Sequence, residues 1–300
     1  MTEHTHRNER FDDPHLESLL PAIPTSRRGF LAGGAGAGFA LAAGPLAAQT
    51  AIQTPADGLT IAEPRIAVEG GEMPAYLAAP EGRDRRPAVI VIPEIFGMHA
   101  YQKDICRRLA RLGYTALTLD PYFRFGDLSR LTEVREVVAQ ANRLDDPRML
   151  ADLDAVIDYV AGHPRVDRRR VAITGMCRGG RTVWKAMAHS KRLKAGVSWY
   201  GGLNPMPPVM PRTPLDVAAG LNGPVLGLYG SADAGIPVAR VAEMQEVLKT
   251  GTPAARASRF ILYRDMPHAF HADYRTSYRR ETAEDGWQQM LGWFRTHGVA

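Results

Sequence analysis

Gly175-Met176-Cys177-Arg178-Gly179-Gly180 places a cysteine in a glycine frame, between an apolar run and a helical pattern. Small residues at 175 and 179 let the chain close a tight turn. The residue between them is forced into a strained conformation that lifts its side chain. A cysteine at the start of a helix lies at the positive end of the helix dipole, which favours the thiolate. The N–H of Arg178 then faces the point where an oxyanion would develop. Further along, Asp233 follows Val225–Tyr229 in Gly230-Ser-Ala-Asp233-Ala-Gly-Ile-Pro237, and His268 follows Phe260–Tyr263 in Met266-Pro267-His268-Ala269-Phe270. A thiol, a carboxylate and an imidazole are the parts of nucleophilic acyl transfer: Cys177 attacks, His268 relays protons, and Asp233 orients the ring.

Each residue also has a plainer reading. Cysteine is among the most buried residue types, and an aspartate in a G-x-x-D setting is often a turn or cap residue. Cys106 serves as a control, because it sits in an amphipathic helix with no glycine frame and reads as a packing residue. His271, Asp265 and Asp273 are the decoys for His268 and Asp233. His99, His163, His189 and His297 have no partner at a recognisable spacing. No His/Cys/Asp cluster has metal-ligand spacing, and no G-x-G-x-x-G or P-loop occurs between a strand and a helix. Neither a cofactor nor a metal is expected.

The elements that must hold these residues alternate. Ala75–Ala79 reads as an early strand. Ala88–Ile92, between Pro87 and Pro93, is a continuous apolar run suited to a strand buried on both faces. Ile105, Leu109 and Leu112 recur at helical spacing, with Gly113 as the stop. Thr115–Leu119, Val171–Thr174, Ala195–Tyr200, Val225–Tyr229 and Phe260–Tyr263 are further strands. Residues 133–142, 149–161, 178–189, 238–249 and 276–296 are predicted helices. Such alternation implies an α/β fold, a mainly parallel sheet with helices on both faces. The run Arg168–Arg170 is expected in a solvated loop just before a strand.

In the α/β-hydrolase fold the triad runs nucleophile, acid, histidine, which is the order here. Pro93-Glu94-Ile95-Phe96-Gly97 occupies the strand-to-helix loop that supplies the second oxyanion donor in that fold. Glu94, Cys177 in G-x-C-x-G-G, Asp233 in G-x-x-D-x-x-x-P and His268 in H-A-F together resemble the dienelactone hydrolase (carboxymethylenebutenolidase) family. The resemblance runs from about Ala75 to Phe294. It takes in Gly113-Tyr114, Asp120-Pro-Tyr122 and Ala283-Glu-Asp-Gly-Trp287.

The resemblance implies a hydrolase of cyclic enol-lactones or related esters. Glu94 would hold the resting thiol and take its proton as substrate enters. The N–H groups of Ile95 and Arg178 would bind the oxyanion. Family members specific for dienelactone bind the substrate carboxylate with two arginines. One matches Arg124, with Tyr122 beside it, whereas Ala272 stands at the spacing of the other and Arg275 is out of register. Trp199 and Tyr200 are pocket or core aromatics. Two other functions stay open: a broader carboxylesterase or thioesterase on the same fold, and a periplasmic binding or redox-responsive protein with a degenerate hydrolase fold.

Composition sets the outer bounds. In 300 residues, 45% are hydrophobic and 23% charged, which excludes a fully disordered chain and a multi-span membrane protein. Two cysteines exclude a disulfide framework. The net charge of +5 is scattered, which gives no footprint for nucleic acid. Ser26-Arg27-Arg28-Gly29-Phe30-Leu31 heads an uncharged, Gly/Ala-rich stretch and resembles a twin-arginine export signal, with small residues for cleavage at Leu46-Ala47-Ala48. The expected organisation is a signal peptide over residues 1–48, a linker over 49–58 and one hydrolase domain over 59–300. The expected location is the periplasm or beyond. The expected partners are the twin-arginine machinery during export and then a small ester or lactone, with or without a carboxylate. No stable membrane association is expected.

Overall fold

The computed structural model describes residues 51–131, 133–206 and 208–300. The export signal expected over residues 1–48 lies outside them. The element order is β1 (Leu59–Ala62), β2 (Arg65–Val68), β3 (Gly71–Pro80), β4 (Arg86–Ile92), α1 (Ala100–Arg111), β5 (Thr115–Leu119), α2 (Val134–Ala141), α3 (Asp146–Gly162), β6 (Val166–Met176), α4 (Arg178–His189), β7 (Ala195–Trp199), α5 (Leu215–Ala218), β8 (Val225–Gly230), α6 (Val238–Lys249), α7 (Pro253–Ala257), β9 (Arg259–Tyr263) and α8 (Arg280–Thr296).

The strands form one sheet in the order β1-β3-β5-β4-β6-β7-β8-β9, with β2 paired to β3. Pairing is parallel from β5 through β9 and antiparallel where β3 meets β1, β2 and β5. Helices cover both faces of this mostly parallel sheet. The central strands are buried along nearly their whole length, as the continuous apolar runs require. Because β4, β6, β7, β8 and β9 run parallel, the loops that leave them collect at one edge of the sheet. Glu94, Cys177, Tyr200, Asp233 and His268 all lie in those loops.

Helix α1 ends where the sequence places its stop. Gly113 has φ of 96°, and the N–H groups of Gly113 and Tyr114 bond back to Ala110 and Leu109. Two expectations need correcting, and two strands went unread. Arg168–Arg170 lies inside β6, in an outer half that projects into solvent, and Asp167 pairs with Arg169 and Arg170 there. The last helix begins at Arg280 rather than at 276, because residues 269–278 fold into successive turns, Ala272 N to Ala269 O and Arg275 N to Ala272 O. The short strands β1 and β2, mostly exposed, carry too little apolar periodicity to be read.

Candidate active site

Cys177 occupies the turn between β6 and α4 with φ 54° and ψ −116°, a region costly for a residue with a side chain. Its N–H bonds to Trp199 O at 3.0 Å, and its carbonyl accepts the first helical bond from Arg181 at 3.1 Å. The glycine frame is a packing requirement: a Cβ on Gly175 would lie 2.5 Å from backbone atoms of Gly179. Arg178 is the first residue of α4, so its N–H has no intrahelical acceptor and is available to a ligand. Its side chain turns away, bonding to Asn142 Oδ1 at 2.6 Å and to the carbonyls of Ala141 and Leu144. That grip fixes the start of α4 against the end of α2.

His268 and Asp233 meet across two loops that are stitched together by backbone. Ser231 N bonds to Tyr263 O and Ala232 N to Met266 O. His268 Nδ1 donates to Asp233 Oδ2 at 2.6 Å, and Gly235 N donates to Asp233 Oδ1 at 2.9 Å. Both side chains are buried. The same ring lies within electrostatic reach of Cys177. Burial pushes the imidazolium down, but the charges of Asp233 and Cys177 and the hydrogen bond to Asp233 more than offset it, and the pKa of His268 is raised to about 10. A thiol, an imidazole and a carboxylate in one buried cluster, with two backbone donors in the same loops, can attack a carbonyl carbon and shuttle the proton.

Glu94 follows β4 in a turn closed by Gly97 N to Glu94 O at 3.4 Å, which also carries the candidate oxyanion residue Ile95. Its carboxylate is fully buried; the Tyr274 hydroxyl donates to Oε2, and Arg275 Nη1 stands 4.0 Å from Oε1. Tyr122 is buried close enough to feel Arg178, Cys177 and Glu94. Burial first, then the anionic groups against the opposing pull of Arg178, raise its hydroxyl to about 12. Tyr200 packs its ring edge-on to His268 with centroids 5.0 Å apart, and its backbone has φ 38°. Trp199, by contrast, is core, with its indole N–H bonded to Thr174.

Arg124 is placed elsewhere than in this chamber's polar cluster. Its guanidinium forms a two-pronged pair with Asp152, at 2.7 and 2.8 Å, and also donates to Glu69 O at 2.9 Å. The cation beside Glu94 is Arg275, which the successive turns after His268 carry back to the site, so the out-of-register arginine reaches it and Ala272 does not. Tyr274 and Tyr101 were not read as site residues, and Arg275 was set aside as out of register; the aromatic–cation pair shortly after H-A-F is the signal that could have pointed there. The decoys settle into other roles. Asp273 pairs with Arg108, and Asp265 sits at an exposed turn. His271 stacks on Trp287 and lies tilted against Trp199, His189 pairs with Asp154 on the surface, and His297 packs on Trp293. Cys106 is a buried core thiol whose pKa is pushed well up by burial.

The sequence profile of the Dienelactone hydrolase family matches residues 73–298, three quarters of the chain and all of the loops just described. The chain belongs to the dienelactone hydrolase family. A Methylorubrum extorquens protein named "Putative carboxymethylenebutenolidase" is 46% identical over 290 residues, covering 96% of this chain and 99% of that protein. The crystal structure titled "Putative Dienelactone Hydrolase" from Klebsiella pneumoniae subsp. pneumoniae superposes with a TM-score of 0.75 at 43% identity, covering 80% of this chain and 99% of that one. A Pyrobaculum calidifontis esterase, 16% identical with a TM-score of 0.62 and covering 85% and 90% of the two chains, shares the α/β-hydrolase fold alone. Dienelactone hydrolase homology makes this protein a hydrolase of ester or lactone bonds. Among the described residues, no helix is long and apolar enough to cross a membrane.

Proposed function

We propose that the protein hydrolyses lactones or esters through a thioester on Cys177, with His268 as proton relay, Asp233 as its orienting carboxylate and Glu94 as the acceptor of the thiol proton. The observation that carries this reading is the buried His268 ring bonded to Asp233 Oδ2, with Cys177 at a strained turn within its electrostatic reach. Cys177 attacks the carbonyl carbon, and the N–H groups of Ile95 and Arg178 take the oxyanion. His268 steers the proton to the leaving oxygen, and water then cleaves the thioester.

The substrate class follows from the charge of the chamber. Arg275 is buried against Glu94 and Phe96 and feels the charge of Cys177, so a carboxylate on the substrate would find its cation there. Such a carboxylate would compete with Glu94 for Arg275. Arg124 and Tyr122 remain the candidates from the family pattern; with Asp152 already holding Arg124, Tyr122 is the nearer of the two to the reacting atoms.

The test is Cys177→Ala and Cys177→Ser, assayed on p-nitrophenyl acetate and on a dienelactone. Loss of at least ~10³-fold with Ala, and weak residual activity with Ser, supports the reading, because a carboxylate deprotonates a hydroxyl far less readily than a thiol. Unchanged hydrolysis by the Ala variant overturns it. We also propose export by the twin-arginine route. Its test is the cell fraction and mature N-terminus of the wild-type chain against an Arg27→Lys/Arg28→Lys variant.

A further inference from the structure

The loop that follows β7 is built to be held from outside. Five prolines between residues 205 and 214 fix φ and supply no N–H. The loop makes one tie of its own, Met206 N to Met210 O at 2.9 Å and Met210 N to Met206 O at 2.8 Å. With so few donors it cannot satisfy its carbonyls from within, and they turn to a buried cation.

That cation is Arg181. It lies one turn past the nucleophile on α4, where its N–H bonds to Cys177 O, and it is only 1% exposed. Nη1 donates to Asn204 O at 2.9 Å and to Gly202 O at 3.5 Å. Nη2 donates to Arg212 O at 2.6 Å and to Met210 O at 3.3 Å. A buried guanidinium ordinarily takes a carboxylate. Here Asp146 Oδ2 stands off at 4.0 Å and is engaged by Lys185, which also donates to Arg212 O at 2.7 Å. The fork of donors on Arg181 is spent on backbone, and it fixes the loop against the helix that carries Cys177 at its start.

The near limb of the same loop grips the acid. Asn204, whose carbonyl Arg181 holds, donates from Nδ2 to Gly235 O at 3.2 Å. Arg240 Nη2 ties the neighbouring Leu203 O to α6 at 3.2 Å. Gly235 has no side chain with which to anchor itself, and its N–H is the one that meets Asp233 Oδ1 at 2.9 Å. The other oxygen of that carboxylate receives His268 Nδ1 at 2.6 Å. A continuous series of contacts therefore runs from the first turn of α4 through Arg181, Asn204, Gly235 and Asp233 to the imidazole.

We propose that Arg181 and Asn204 are positioning residues for the triad acid. Arg181 seats the loop on the nucleophile's own helix, and Asn204 passes that placement to Gly235, which aims Asp233 at His268. Neither residue needs to touch the reacting atoms. A carboxylate with one oxygen pinned this way has its second oxygen left in a single direction, and a site is only as precise as the groups that lock its side chains. The inference rests on the triad reading above and adds how its acid is held in register with the nucleophile.

Asn204→Ala tests it, because Arg181 holds the backbone oxygen of residue 204 and that contact survives the change. On p-nitrophenyl acetate kcat/KM should fall roughly 10-fold, and the NMR titration of His268 should move down by about one unit as the carboxylate loosens. In an Asp233→Asn background the same substitution should cost less than about twofold, since no carboxylate is left to aim. Arg181→Lys keeps the charge but offers no planar fork, and should show the same pattern with a larger loss. Equal losses from Asn204→Ala with and without the Asp233 carboxylate, or a His268 titration that does not move, would overturn the clamp. Failure of the triad reading itself would show separately, as Asp233→Asn keeping kcat/KM within about threefold of wild type.

Discussion

Replacing Asp233 by asparagine changes almost nothing in shape and reverses the logic of the imidazole. Gly235 N–H already donates to Asp233 Oδ1 at 2.9 Å, so the amide oxygen of the variant stays there and its NH₂ group takes the Oδ2 position, facing His268 Nδ1. Two donors cannot share that contact, so the ring is held as the neutral tautomer with its hydrogen on Nε2 and loses its stabilisation as the imidazolium. The charge is lost as well. The rise of the His268 pKa from 6.5 to about 10 corresponds to on the order of 5 kcal/mol shared between Asp233 and Cys177, Asp233 being the larger contributor. A rate loss of about 10³, equivalent to about 4 kcal/mol of transition-state stabilisation, is expected in kcat/KM for p-nitrophenyl acetate. The pH dependence has a definite sign. A raised histidine pKa adds stability that is fully present below about 6.5 and is lost as pH rises through about 10. Asp233→Asn should therefore cost more stability in urea melts at pH 6 than at pH 10.5, and the NMR titration of His268 should move down by about two units or more. A variant that keeps wild-type kcat/KM within threefold, or whose urea midpoint falls equally at both pH values, would refute this account of the pair.

Arg124→Ala leaves the buried Asp152 carboxylate without its two-pronged partner, so unfolding free energy should drop by about 3 kcal/mol in denaturant titrations while hydrolysis of p-nitrophenyl acetate stays within threefold. Arg275→Met removes the cation next to Glu94, and kcat/KM for a dienelactone should fall ~10²-fold more than for an uncharged ester of similar size; equal losses on both would place the carboxylate elsewhere. Cys106→Ala should leave the rate of alkylation by iodoacetamide unchanged, since that thiol is fully buried and its pKa raised, and should cost about 1 kcal/mol of stability at most; mass mapping of the alkylated residue checks it.

The architecture was legible wherever a strand is buried on both faces or a helix carries a clear stop. Thr115–Leu119, Arg178–His189 and Val238–Lys249 have the same bounds in sequence and in structure. It was not legible at the exposed hairpin-like strands β1 and β2, whose residues alternate too weakly to reveal pairing with β3. The candidate nucleophile, acid and histidine were readable because each follows a strand directly, and a parallel sheet delivers such residues to one edge. Arg275 and Tyr274 were not, because their approach depends on two consecutive turns after Ala269, and turns of that kind leave no periodicity. Arg124 shows the converse. Its spacing matched a family pattern, yet a carboxylate from the distant helix α3 holds it, a partner 28 residues away that local sequence does not announce.

The most direct test of the central claim is to trap the acyl group. The enzyme is mixed with a slowly deacylating aryl ester, quenched in acid within the first turnover, digested and mapped by mass spectrometry. The account predicts a single acyl adduct, on the sulfur of Cys177, formed at the rate of product release in the burst. An adduct on any other residue, or full turnover with Cys177 unmodified, would contradict it.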